Sequence, residues 1–235
     1  MKFTKMHGIG NDYVYVNALE EHIEDPSSLS IRVSDRHFGI GSDGLILIRH
    51  SDRADFMMDM YNADGSQGKM CGNGIRCVGK YVYDHGMTDK KIITIETLSG
   101  IKTLNLQTKP VEEVEGYKGI SNKGQVVVSA TVNMGAPIFE PEQVPTKLSE
   151  GFAPVKLDKL LDINPIKDVG MNPDEKVAIH MPMIINSTFY YVTCVSMGNP
   201  HCVIFVERTE DFPIEKIGPM LRRTDCSPTG LILSS

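Results

Sequence analysis

The sequence predicts an α/β (α+β) chain in two lobes, and three observations carry the prediction. Short segments in which apolar residues alternate with polar ones, or run together for four positions, recur along the chain and read as strands. Between them lies a helical pattern, with Ile75, Val78, Tyr81 and Val82 on one face. A polar, turn-rich stretch at 108–124, containing KPVEEVEGYKGISNKG, then interrupts both patterns and marks a boundary, giving lobes at 1–115 and 116–235.

Taken in order, residues 2–7 and 13–17 read as strands joined through the turn Gly8-Ile9-Gly10-Asn11-Asp12. SLSIRVSDRH, at 28–37, reads as a short helix ending at Gly39. The run LILI (45–48) is an apolar strand, and Phe56, Met58 and Met60 alternate in a strand that delivers Asn62 to the next turn. IITIETL (92–98) and IKTLNLQ (101–107), joined at Ser99-Gly100, form a hairpin, and 126–135 is another strand. The proline-rich stretch 136–176 reads as a surface excursion. Strands resume at 177–185, 189–198 and 201–206, the last two flanking the turn Gly198-Asn199-Pro200. A helix follows at 212–221 with Pro213 in its first turn.

Composition narrows the function. Across 235 residues, 41% hydrophobic and 23% charged content is that of a soluble globular protein with room for a sizeable core. A net charge of −6 argues against nucleic acid or an anionic membrane as the main partner. No stretch is apolar enough to span a bilayer, and MKFTKMHGIGND has no signal-sequence core, so a cytoplasmic location is expected. The five cysteines make no CxxC pair and no zinc pattern, and read as free thiols in a reducing compartment. GIGSDG (39–44) has glycines but lacks the Lys-Ser/Thr pair and the spacing of a phosphate loop.

The chemistry concentrates in DMYNADGSQGKMCGNGIRCVGKYV, Asp59 to Val82. Cys71 falls just before the helical pattern, followed by the nearly bare backbone of Gly72-Asn73-Gly74. A helix start exposes unpaired N–H donors and the positive end of the peptide dipole. Two readings stand side by side: Cys71 as a small buried apolar residue, or as a thiol ionised by its position, beside donors that admit a carboxylate. His201, near Asn199, is likewise either a turn histidine or an acid–base partner. Asn11, Asn62, Cys71, Asn73, Asn199 and His201 all fall at strand-to-turn junctions. A thiolate, side-chain amides and backbone donors suit proton abstraction next to a carboxylate.

The motifs MHGIGNDYV, DRHFGIGSDG, MYNADGSQGKMCGNGIRC and MGNPHCV resemble the diaminopimelate epimerase family, in family order, from Met1 to about Met220. The resemblance implies two similar lobes, each a curved mixed β-sheet around a central helix, with the second incomplete here. It implies interconversion of LL- and meso-diaminopimelate, for lysine and peptidoglycan synthesis, by two cysteines on opposite faces of the α-carbon. No pyridoxal phosphate, other cofactor or metal is called for. The partner is the small-molecule substrate, with a homodimer left open. Carried onto this chain, Cys71 is the first of the two cysteines, and His201 helps it ionise. Gly72 and Asn73 give backbone donors to the carboxylate, and Asn11, Asn62 and Asn199 bind substrate. Gly44 stands where many members have glutamine.

Beyond Met220 the family pattern would bring RTN-x-EF, a Glu-Arg pair and a Cys-Gly-Thr-Gly run, none of which this chain contains, and Cys226 lies outside that context. With permitted codons, Asp225 to Ser235 reads L-F-P-D-R-T-N-T-E-F in the neighbouring frame, so a frameshift between about codons 220 and 225 is expected. Two alternatives remain at this stage. One is a diaminopimelate-binding remnant without turnover. The other is a one-base isomerase or racemase, acting on this or another amino acid.

Overall fold

The period-2 segments become two β-sheets, one in each of two compact units, Met1–Met134 and Gly135–Ser235. The structure, a computed structural model, describes residues 1–140, 144, 179, 181–185, 188–198, 200–223 and 232–233. In the first unit the strands are β1 (Thr4–Gly8), β2 (Asn11–Asn17), β3 (Gly44–Arg49), β4 (Phe56–Asn62), β5 (Gln67–Gly68), β6 (Ile92–Thr97), β7 (Gly100–Pro110) and β8 (Gln125–Asn133). Two helices accompany them, α1 (Pro26–Ser34) and α2 (Gly72–Asp84).

The sheet runs β1-β2-β3-β4-β6-β7-β8, with β5 paired to β4. It is mixed: β2 with β3 and β4 with β6 are parallel, and the other pairs are antiparallel. Helix α2 packs against β1 and β8 at once, the two ends of this strand order. The sheet is therefore curled around α2.

Alternation along the strands explains the two-sided core. Tyr15, Ile46, Ile48 and Met58 turn inward with Ile93, Ile95 and Leu104, and meet Ile75, Val78 and Val82 of α2. Val14, Val16, Leu45 and Leu47 face the other way, toward Val33 and Leu29 of α1. Strand β3 is covered on both faces, which is why its sequence is an unbroken apolar run instead of an alternation. At Gly79 the helix lies so near β7 that an added Cβ would stand 2.8 Å from a methyl of Leu104. An ion pair closes the far end of α2. Asp84, buried, accepts from Lys80 Nζ at 2.6 Å and from the Val127 N–H at 2.8 Å, tying α2 to β8.

Three differences from the sequence expectation have identifiable causes. Helix α1 begins earlier than predicted, because Asp25 caps it by accepting from the Ser28 N–H at 3.0 Å. It ends at Ser34, where the Asp35 carboxylate takes the N–H groups of His37 and Phe38, each at 2.7 Å, in place of a further helical turn. The expected boundary at 115/116 is replaced by one at 134/135. The polar stretch is the connection of a long hairpin, in which Lys109 pairs with Val126 and Pro110 with Gln125, so β8 belongs to the first sheet. A hairpin loop and a linker share the same polar, glycine-rich composition.

The second unit holds β9 (Met181–Ile185), β10 (Thr188–Ser196), β11 (Pro200–Ile204), β12 (Ile232–Leu233) and α3 (Ile214–Arg223). Its sheet runs β12-β11-β10-β9, with β11 and β12 parallel. Val192, Cys194 and Cys202 pack with Ile217 and Val144 in a small core of their own. Helix α3 starts one residue after Pro213. Most of the predicted excursion at 136–176 lies outside the described residues, as do Asn199 and Cys226.

Candidate active site

Register brings the first unit's polar residues to one end of the strands. Because β2 and β3 are parallel and β3 and β4 antiparallel, the starts of β2 and β3 and the end of β4 lie together. Val14 stands beside Leu45, and Gly44 opposite Asn62. Asn11 opens β2, Asp43 immediately precedes β3, and Asn62 ends β4. The N-terminus of α2 comes to the same place, since Gly8 packs against the backbone of Asn73.

Cys71 is the N-cap of α2, with extended backbone at φ −137° and ψ 112°. Its half-buried sulfur accepts the Gly74 N–H at 3.2 Å. The thiol donates to Asn11 Oδ1, also at 3.2 Å. As the first residues of the helix, Gly72 and Asn73 have N–H groups with no intrahelical acceptor. They lie beside a sulfur already held by one donor and one acceptor. By contrast Cys77, on the next turn, is buried, and burial pushes its thiol up.

Asn11 is itself held. Its Nδ2 donates to Asp43 Oδ2 at 2.7 Å, and the same oxygen accepts the Asp12 N–H at 3.0 Å. Arg36 bridges Asp43 and Asp12, at 2.9 and 2.8 Å. Tyr13 lies nearly wholly buried in the same cluster. Burial, and after it the neighbouring Cys71 charge, pushes its hydroxyl well above the ordinary phenol range, so it stays protonated. Its ring also explains Gly44, where a Cβ would meet Tyr13 Cε1 at 2.8 Å and Tyr61 O at 2.1 Å.

Of the predicted site residues, Asn11, Cys71, Gly72 and Asn73 are thus brought together. Asn62 lies at the same end of the strands, but its amide donates to Ser66 Oγ at 2.9 Å within its own turn. His201 belongs to the second unit, on β11 opposite Val195, where burial lowers its pKa and favours the neutral ring. Asp43, Tyr13 and Arg36 were not singled out from sequence. Asp43 stood inside GIGSDG, and its spacing of 32 residues from Asn11 follows no local periodicity. Among the described residues no group of three His, Cys, Asp or Glu side chains could hold a metal ion. Nor is any helix there long and apolar enough to cross a membrane.

Known proteins resemble this chain over most of its length. Residues 3–128 match the family model for diaminopimelate epimerase. A diaminopimelate epimerase of Acetivibrio thermocellus is 46% identical over 228 residues, covering 97% of this chain and 68% of that protein. The chain belongs to the diaminopimelate epimerase family. The family makes it an isomerase of the epimerase class. The diaminopimelate epimerase of Agathobacter rectalis is 49% identical over 228 residues, covering 97% of this chain and 69% of its own length. The chain therefore spans about two thirds of the length of these relatives. A solved structure described as a probable proline racemase from Agrobacterium radiobacter, with bound carbonate, superposes with a TM-score of 0.56 at 8% identity. It covers 94% of this chain and 60% of that one. That likeness is one of fold, a mixed curled sheet around a helix.

Proposed function

We propose that this member of the diaminopimelate epimerase family inverts the α-carbon of LL-diaminopimelate to the meso form by proton transfer alone, with Cys71 as the acid–base group on one face. The Cys71 thiolate takes the α-proton, and the electron pair left on carbon spreads into the adjacent carboxylate. The N–H groups of Gly72 and Asn73 receive the charge that develops there. Completing the inversion calls for a proton from a second thiol on the opposite face. The Cys-Gly-Thr-Gly run expected to carry it is not among this chain's residues, so the chain's own residues supply the chemistry of the Cys71 face. Asn11, Asn62 and Asn199 bind the substrate, and His201 assists ionisation of Cys71. The work is cytoplasmic and biosynthetic.

One observation carries this reading: a half-buried sulfur caps α2, with a backbone N–H at 3.2 Å and further helix-start donors beside it. Such a position favours the thiolate and accommodates an anion in the same place. The experiment incubates the protein with LL-diaminopimelate in deuterated water, under reductant. It follows deuterium at the α-carbon and stereochemistry separately. Uptake that disappears in Cys71→Ala supports the reading, and uptake that survives it sinks it. Uptake without inversion identifies chemistry on one face only.

A further inference from the structure

Asn11 offers the Cys71 sulfur either of two opposite groups, an acceptor oxygen or a donor NH2. Which one faces the sulfur decides which protonation state is favoured: oxygen favours S–H, and NH2 favours the thiolate. The sulfur faces Oδ1 at 3.2 Å, while Nδ2 lies 2.7 Å from Asp43 Oδ2. A carboxylate only accepts, so as long as Asp43 is in place the NH2 end must turn toward it. Asp43 in turn is fixed by the Asp12 N–H at 3.0 Å and by Arg36 at 2.9 Å.

We propose that Asp43 is a positioning residue that raises the proton affinity of Cys71 by locking the amide of Asn11 with its oxygen toward the sulfur. On the opposite side the Gly74 N–H, at 3.2 Å, and the start of α2 favour the thiolate. Cys71 is thereby poised between two opposed influences. That balance suits a group that must accept a proton in one direction of a reversible reaction and give it back in the other. This rests on the reading of Cys71 as the reacting thiol.

Among the other ionisable groups around the sulfur, Tyr13 also hydrogen-bonds to both Cys71 and Asn11, and its influence is the same with and without Asp43. Tyr13 and Tyr15 of β2 are buried, and burial holds both hydroxyls protonated. Cys77 of α2 is buried and also held as thiol. Arg76 of α2 is engaged by Gly72 O and Asn73 Oδ1, and the His7 Nδ1 of β1 accepts the Gly10 N–H at 3.4 Å. Arg36 reaches the site through Asp43 and Asp12.

The test is the rate of Cys71 alkylation by iodoacetamide against pH in the full chain, followed by mass spectrometry of the peptide that carries it. With Asp43→Ala the Asn11 amide is released to turn its NH2 to the sulfur. The midpoint then moves down, and the rate near neutral pH rises about three- to tenfold, the scale of a shift of half to one pKa unit. In an Asn11→Ala background the same change has no further effect, because the influence passes through Asn11. An unmoved midpoint, or an equal shift in both backgrounds, overturns the proposal. Should Asp43→Ala fail to fold, Asp43→Leu keeps the volume and likewise removes the acceptor, and a shift in the same direction is expected, with no shift overturning the proposal. A purely structural role would lower the melting temperature and leave the midpoint where it was. Deuterium exchange that no longer depends on Cys71 would instead overturn the underlying reading, with the alkylation result unaffected.

Discussion

The side-chain oxygen of Asn11 lies 3.2 Å from the sulfur of Cys71, across a separation of 60 residues. Strand β2 and helix α2 both begin at this point, so one hydrogen bond joins the two elements at the site. Replacing Asn11 by alanine removes the acceptor that favours S–H without opening the core. Cys71 alkylation near neutral pH is expected to rise while α-proton exchange falls about tenfold or more, the range associated with a positioned acid–base group. Measuring both rates on one preparation checks this, since simple unfolding would expose the thiol and abolish exchange together with the melting transition.

Gly44 sits under its neighbours with no space for a side chain. A Cβ there would approach Tyr61 O to 2.1 Å, and that oxygen belongs to the paired strand β4. Backbone cannot swing aside as a side-chain end can. Gly44→Ala is expected to destabilise the protein by roughly 3 kcal/mol, at the upper end of overpacking effects, through separation of β3 from β4. Urea denaturation of the two proteins side by side gives the difference.

Ile9 presents the opposite opportunity. The loop between β1 and β2 is the two-residue turn Ile9-Gly10, with φ of 54° and 80°. Positive φ at both positions is the hairpin geometry that favours Asn-Gly, and it is strained for a β-branched residue. The side chain is 88% exposed, so nothing in the core holds it there. Ile9→Asn is expected to stabilise the chain by about 1 kcal/mol. A melting temperature that falls or stays level would contradict this.

Much of the fold was legible because its signals are local. The alternation in Phe56, Met58 and Met60, the turn at Ser99-Gly100 and the helical face after Cys71 each specify an element within a few residues. The boundary at 134/135 was not legible, because the β7–β8 connection has the composition of a linker and only long-range pairing of Lys109 with Val126 distinguishes it. The place of Cys71 and of the glycine that follows it, at the start of α2, could be read from spacing. Asp43 could not: its role depends on parallel registration of β2 with β3, which places it against Asn11.

Asp12 gives a pH dependence with a definite sign. Arg36 beside it, assisted by Lys5 and opposed by partial burial, holds its carboxyl down to about 2. A carboxyl depressed below its unfolded value contributes stability that is fully present above the ordinary carboxylate range, about pH 4, and is lost as the pH falls through about 2. Wild type should therefore exceed Asp12→Asn in melting temperature by a constant margin from about pH 7 to pH 5. The margin should shrink below about pH 4 and close near pH 2. A margin that widens toward acid would show that the ion pairs with Arg36 and Lys5 do not stabilise the fold.

Exchange of the α-proton of LL-diaminopimelate with deuterated water, compared between the wild-type chain and Cys71→Ala, tests the central claim most directly. Deuterium entering the wild-type reaction and absent from that of a folded Cys71→Ala protein is the predicted result. Equal uptake in both would mean that the sulfur capping α2 takes no part in moving the proton.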